Sequence, residues 1–67
     1  MKEYVLQRER NGVVEYLVHV YGEDYQFKVK VTTDINEVTP ISRGFLATTL
    51  KLLVHTGEYF EVREVTE

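Results

Sequence analysis

From Tyr4 to Val31 apolar and polar side chains alternate in runs interrupted at Asn11-Gly12 and Gly22-Glu23. Alternation with period two marks half-buried strands, and the two dipeptides suit type I′ and type II′ hairpin turns. Such turns set Arg10 opposite Val13 and Tyr21 opposite Asp24. The first ladder then pairs Leu6 with Leu17, Val5 with Val18 and Arg8 with Glu15, and the second pairs Val20 with Tyr25, Val18 with Phe27 and Tyr16 with Val29. Val5, Val14, Tyr16, Val18, Val20, Tyr25, Phe27, Val29 and Val31 fall on one face, the expected core, because side chains alternate across a sheet.

Beyond Thr33 the period lengthens. Residues 34–38 read as a connection, and Thr39-Pro40 reads as an N-cap followed by proline at the first helical position. Ile41, Phe45, Leu46, Thr49, Leu50, Leu52 and Leu53 recur at helical spacing, with Arg43, Ala47 and Lys51 on the wetter side. Gly57 suits the left-handed residue that ends a helix, and His55 complements its carbonyl end. The spacing therefore predicts a helix over residues 40–55. The β-branched and aromatic residues of 59–65 predict a fourth strand, with Phe60 and Val62 facing the core.

The sum is one α+β domain over residues 1–67, in the order β-β-β-α-β: an antiparallel three-stranded meander, one helix on one face, and a C-terminal strand. The expected strand order is 3-2-1-4, with the fourth strand parallel to the first; its place beside the third strand is the alternative.

A chain of 67 residues with a 43% hydrophobic fraction and no cysteine must hold its fold by packing alone. Met1-Lys2-Glu3-Tyr4 leads into no apolar signal region, and no apolar stretch is long enough to span a bilayer. The chain is expected to be cytoplasmic.

The chemical inventory is thin. Ser42 lies where a helix begins, and its spacing to His19, His55, Asp24 and Asp34 forms no catalytic arrangement. His19 and His55 lack the spacing and accompanying ligands of a zinc site, and the glycines are isolated rather than grouped in a phosphate loop. Gly44 inside the helix either permits close packing against Tyr16 or Phe27 or is a tolerated propensity cost. No enzyme activity, cofactor, metal or small-molecule substrate is expected.

The outer face of the sheet carries the functional expectation. There the register sets Tyr4, Leu6, Leu17, His19 and Tyr21 together on strands one and two. Leu6 and Leu17 pair directly, so burial on the core side cannot account for both unless the register breaks. Clustered exposed apolar residues usually mark an interface, which points to a protein-protein interaction module or a homodimer. Nucleic-acid binding through the sheet face is the alternative. Against it, Glu15 falls between Arg8 and Lys30 in one cross-strand row, and the formal net charge is −3.

Tyr4-Val5, Asn11-Gly12, the run from Val14 to Val18, and Gly22 resemble the first hairpin of a chromodomain. That resemblance implies a methyl-lysine reader with an aromatic cage. Only Tyr4 matches a cage position; Val20 and Glu23 stand where the other aromatics belong, and the chain has no tryptophan. The β-β-α-β end is similar in architecture to small phage-encoded inhibitors of host proteins.

Overall fold

A computed structural model describes residues 2–24 and 26–65. Strands β1 (Glu3–Arg10), β2 (Val13–Glu23) and β3 (Gln26–Thr32) are followed by a 3₁₀ turn (Ile35–Glu37), helix α1 (Arg43–Thr56) and strand β4 (Glu61–Val65). The four strands form one antiparallel sheet in the order β3-β2-β1-β4, and α1 covers one face, chiefly over β3. Two layers make a slab of 38 × 30 × 17 Å.

The first hairpin keeps the expected register over the four pairs nearest its turn, but the ladder ends at Gln7 and Tyr16, short of the expected pairs of Leu6 with Leu17 and Val5 with Val18. Asn11 and Gly12 adopt φ of 53° and 80°, as a type I′ turn requires, and Arg10 faces Val13, Arg8 faces Glu15 and Gln7 faces Tyr16. The second register differs from the sequence expectation. The ladder closes at Glu23 and Gln26, so Val20 faces Val29 and Tyr21 faces Lys28. Asp24 takes positive φ (54°) and serves the turn, because aspartate tolerates the left-handed region. Gly22 also has positive φ (144°), but it sits within the ladder opposite Phe27; a Cβ there would lie 2.1 Å from the Gln26 carbonyl oxygen. Its role is close backbone approach rather than the turn itself. Val29 thus takes the place opposite Val20 that the sequence had given to Tyr25, and the expected placing of Tyr25 in the core lies outside the described residues.

Between Leu17 and His19 the β2–β3 ladder carries a bulge. Leu17 faces Val31 before it and Val20 faces Val29 after it, so one extra residue brings both Leu17 and Val20 to the helix side. This overturns the expected division of faces for half the sheet. Leu6 and Leu17 are 2% and 6% exposed and form the core with Leu53 and Phe60, while Val20, Val29, Val31 and Leu46 pack around them. Val14 and Tyr16 turn to the opposite face; Val14 is exposed and Tyr16 half-buried. Val5 is buried as well, on the face away from Leu6.

The helix starts later than the sequence suggests. Ile41 exchanges two backbone hydrogen bonds with Tyr4 (2.8 and 2.9 Å), which holds the chain extended past Pro40. Ser42 is then the N-cap, its Oγ accepting from the Phe45 N–H at 3.5 Å, and Gly57 ends the helix with φ 74°. A Cβ added at Gly44 would meet nothing within 4 Å, so that glycine serves no packing contact.

This early strand contact also sets the direction of β4. Residues 33–41 carry the chain from the end of β3 back to the start of β1, so α1 runs in the same direction as β1 and β4 returns antiparallel to β1, rather than parallel as expected. Glu3 faces Val65 and Gln7 faces Glu61. Phe60, just ahead of β4, is buried, and Val62 is exposed because the helix lies away from this edge.

Candidate functional site: a cleft between two parting strands

β1 and β2 pair only from Arg10 and Val13 to Gln7 and Tyr16. Beyond that point β2 continues to Glu23 with β3 as its partner, while β1 takes Ile41 in the place β2 has left. The bulge after Leu17 marks where β2 turns away. A cleft of about 290 Å³ opens between the parted strands under α1. Leu6, Leu17 and Val20 line it from the sheet, Ile41 from the connection, and Phe45 and Leu52 from the helix. Thr48 and Thr49 add hydroxyls, and no carboxylate lines it among the described residues. Phe45 is 69% exposed, since Leu46 and Leu53 take the core-facing line of the helix and a residue one place along points about 100° away. A large aromatic ring left in water at the mouth of an apolar cleft points to an interaction surface.

The five residues singled out from the sequence do not share a face. Leu6 and Leu17 are core and are withdrawn from the surface set, because the bulge breaks the alternation that had turned them outward. Tyr4 is half-buried at the cleft. His19 and Tyr21 stay on the outer face as an edge-to-face ring pair with centroids 5.6 Å apart, and Tyr21 is 48% exposed. Their cross-strand neighbours are Lys30 and Lys28. Glu15 belongs to Arg8, not to Lys30, so the alternation of signs inferred along that row is absent. Sequence reasoning missed Phe45 as a surface residue; the available signal was the threonine pair that follows it, which puts Phe45, Thr48, Thr49 and Leu52 on one flank of the helix.

On the far side of the core Arg8 acts as a clamp. Its Nε donates to Glu15 Oε1 at 2.9 Å, its Nη1 donates to Glu58 Oε2, and its guanidinium carbon lies 4.6 Å from the Phe60 ring centroid. Burial acts to lower the Arg8 pKa, but the hydrogen bonds that Arg8 donates to Glu15 and Glu58 and the charges of those carboxylates outweigh it and leave it above its ordinary value. With both carboxylates already engaged by its donors, Arg8 joins β1, β2 and the segment before β4, and it presents little to a ligand.

The remaining candidates are structural. Ser42 caps α1, and the His55 ring lies 5.8 Å from the Phe27 ring. No cluster of three histidine, aspartate or glutamate side chains is placed to hold a metal ion among the described residues. No described helix is long and apolar enough to cross a membrane. Compared with protein-family models, curated proteins and solved structures, the chain matches none.

Proposed function

We propose that this chain is a small non-enzymatic protein-binding domain whose docking surface is the cleft between β1 and β2, with Phe45 at its mouth. The exposure of Phe45 beside an apolar cleft that no carboxylate among the described residues lines carries the reading. A volume of about 290 Å³ is at the lower limit for a small-molecule site and suits one or two anchoring side chains of a partner. The surface thus moves from the outer sheet face, where the sequence had put it, to the groove that the bulge opens.

The test compares two exposed aromatics. Phe45→Ser removes the ring from the cleft mouth, and Tyr59→Ser removes a still more exposed ring elsewhere. Affinity capture from the source cell by the native domain should survive Tyr59→Ser and fail with Phe45→Ser, both variants remaining folded by circular dichroism. Equal capture by all three proteins would refute the cleft as the docking surface.

A further inference from the structure

The edge of β2 that faces the cleft carries a second kind of information. Glu23 and Gln26 close the β2–β3 ladder, and with the closing pair hydrogen-bonded Tyr21 and His19 turn their backbone groups toward β3. Val20 and Gly22, alternating with them, turn theirs toward the open side, where no β1 residue pairs with them among the described residues. The outer edges of the sheet are guarded differently. β3 carries Lys28 and Lys30, and β4 is short and carries Glu61, Arg63 and Glu64. The inner edge of β2 has no charged side chain between Tyr16 and Gly22.

Charge is segregated along the chain in the same sense. All eleven acidic residues lie outside residues 16–22, 26–33 and 38–57. Those three segments supply the β2 edge up to Gly22, β3, the cleft side of the connection from Val38 on and the helix, and they hold Lys28, Lys30, Arg43 and Lys51, while Glu23 ends β2 and Asp34 and Glu37 lie earlier in the connection. A strand laid against β2 would alternate its side chains between two environments. Those opposite Val20 would enter the cleft toward Phe45. Those opposite His19 and Tyr21 would lie on the outer face, about 10 Å from the lysines of β3, two inter-strand spacings away. That is slightly more than the ~8 Å Debye length of physiological salt, and the reach of a long lysine side chain shortens the separation.

We infer that the cleft accepts an extended segment of a partner protein in which apolar and acidic residues alternate, added as a strand to the inner edge of β2. The inference rests on the cleft being a protein-docking surface, and it names the partner's chemistry and conformation. Backbone hydrogen bonds to Val20 and Gly22 supply the pairing, the apolar positions fill the cleft, and the acidic positions face Lys28 and Lys30.

The probes are two fluorescein-labelled octapeptides, one alternating valine and glutamate and one alternating valine and lysine, titrated by anisotropy and by amide NMR of the labelled domain. The expected result is binding of the glutamate peptide alone, with shifts and slowed exchange at the Val20 and Gly22 amides. Lys28→Glu with Lys30→Glu should weaken it ~5-fold or more. Equal binding of both peptides with shifts at the cleft would overturn the acidic requirement and leave the docking reading standing. Failure of both peptides would overturn strand addition, and the Phe45→Ser capture experiment then decides separately whether the cleft docks anything. Two further outcomes also overturn it: shifts at Val20 and Gly22 that grow with protein concentration without peptide, which would make a second copy the occupant, and binding of oligothymidylate with shifts at Lys28 and Lys30, which would make it a nucleic acid.

Discussion

Truncating Leu17 and its neighbour Tyr16 to alanine tests the bulge from which the cleft follows. Leu17 is enclosed by the helix-side core with Leu6, Leu53 and Phe60, whereas Tyr16 lies half-buried on the other face opposite Thr32. Deleting a buried leucine side chain costs about 2–5 kcal/mol through lost transfer energy and the cavity left behind. A domain of this length has roughly 3–10 kcal/mol in total, at ~0.05–0.15 kcal/mol per residue. Leu17→Ala should therefore remove a large share of the stability, and Tyr16→Ala less than ~2 kcal/mol. Urea denaturation followed by circular dichroism measures both; with a slope near 1 kcal/mol/M for so small a chain, the midpoint of Leu17→Ala should fall by about 2 M or more, or the variant should be unfolded without denaturant. A larger loss for Tyr16→Ala would mean that the alternation runs unbroken through Val18, and the division of faces described here would be wrong.

Gly44→Ala should stabilise by up to ~1 kcal/mol, since the added methyl meets open space and helix propensity improves; thermal melting should show a rise of several degrees, and any fall would contradict that open space. Gly22→Ala should destabilise by more than ~2 kcal/mol, because its Cβ would meet the Gln26 carbonyl oxygen and the Phe27 Cα at an unfavourable φ; a melting temperature equal to the native one would count against the close approach. Arg8→Lys keeps the charge but loses the fork that joins Glu15 and Glu58, at a cost of about 1–2 kcal/mol read from urea midpoints. An unchanged midpoint there would show that the clamp contributes nothing.

Much of the fold was legible because local chemistry and global pattern agreed at particular residues. Asn11-Gly12 specifies its turn so narrowly that the first ladder follows, and Gly57 stops the helix where the apolar period ends. The strand order 3-2-1-4 also emerged, although the direction of β4 did not. That direction depends on Ile41 pairing with Tyr4, a contact between residues far apart in the chain with no local signature. The second turn misled for a different reason. Gly22 has the positive φ that a turn glycine needs, yet it serves a backbone crossing two residues away from the loop, and Asp24 supplies the left-handed residue instead. The bulge was visible only as a conflict, since Leu6 and Leu17 could not both be buried under unbroken alternation. Taking that conflict as an exposed patch put Leu6 and Leu17 on the wrong face. Phe45 was hidden by its place in an apolar helix, where seven-residue spacing to Leu52 looks like core until the sheet beneath is seen to part.

The neighbouring positions of Glu3 and Val65 at the open end of the β1–β4 ladder have a mechanical consequence. Tension applied between those two residues pulls across the hydrogen bonds at that end, not along the strands. The pairs then give way in sequence, from Glu3 and Val65 toward Gln7 and Glu61, each carrying the load alone. Such a zipper opens at far lower force than a ladder sheared lengthwise, where all bonds share the strain. β4 is thus the element that leaves first under load, and its departure strips the Leu6 side of the core while the hairpins of β1, β2 and β3 remain closed by their turns.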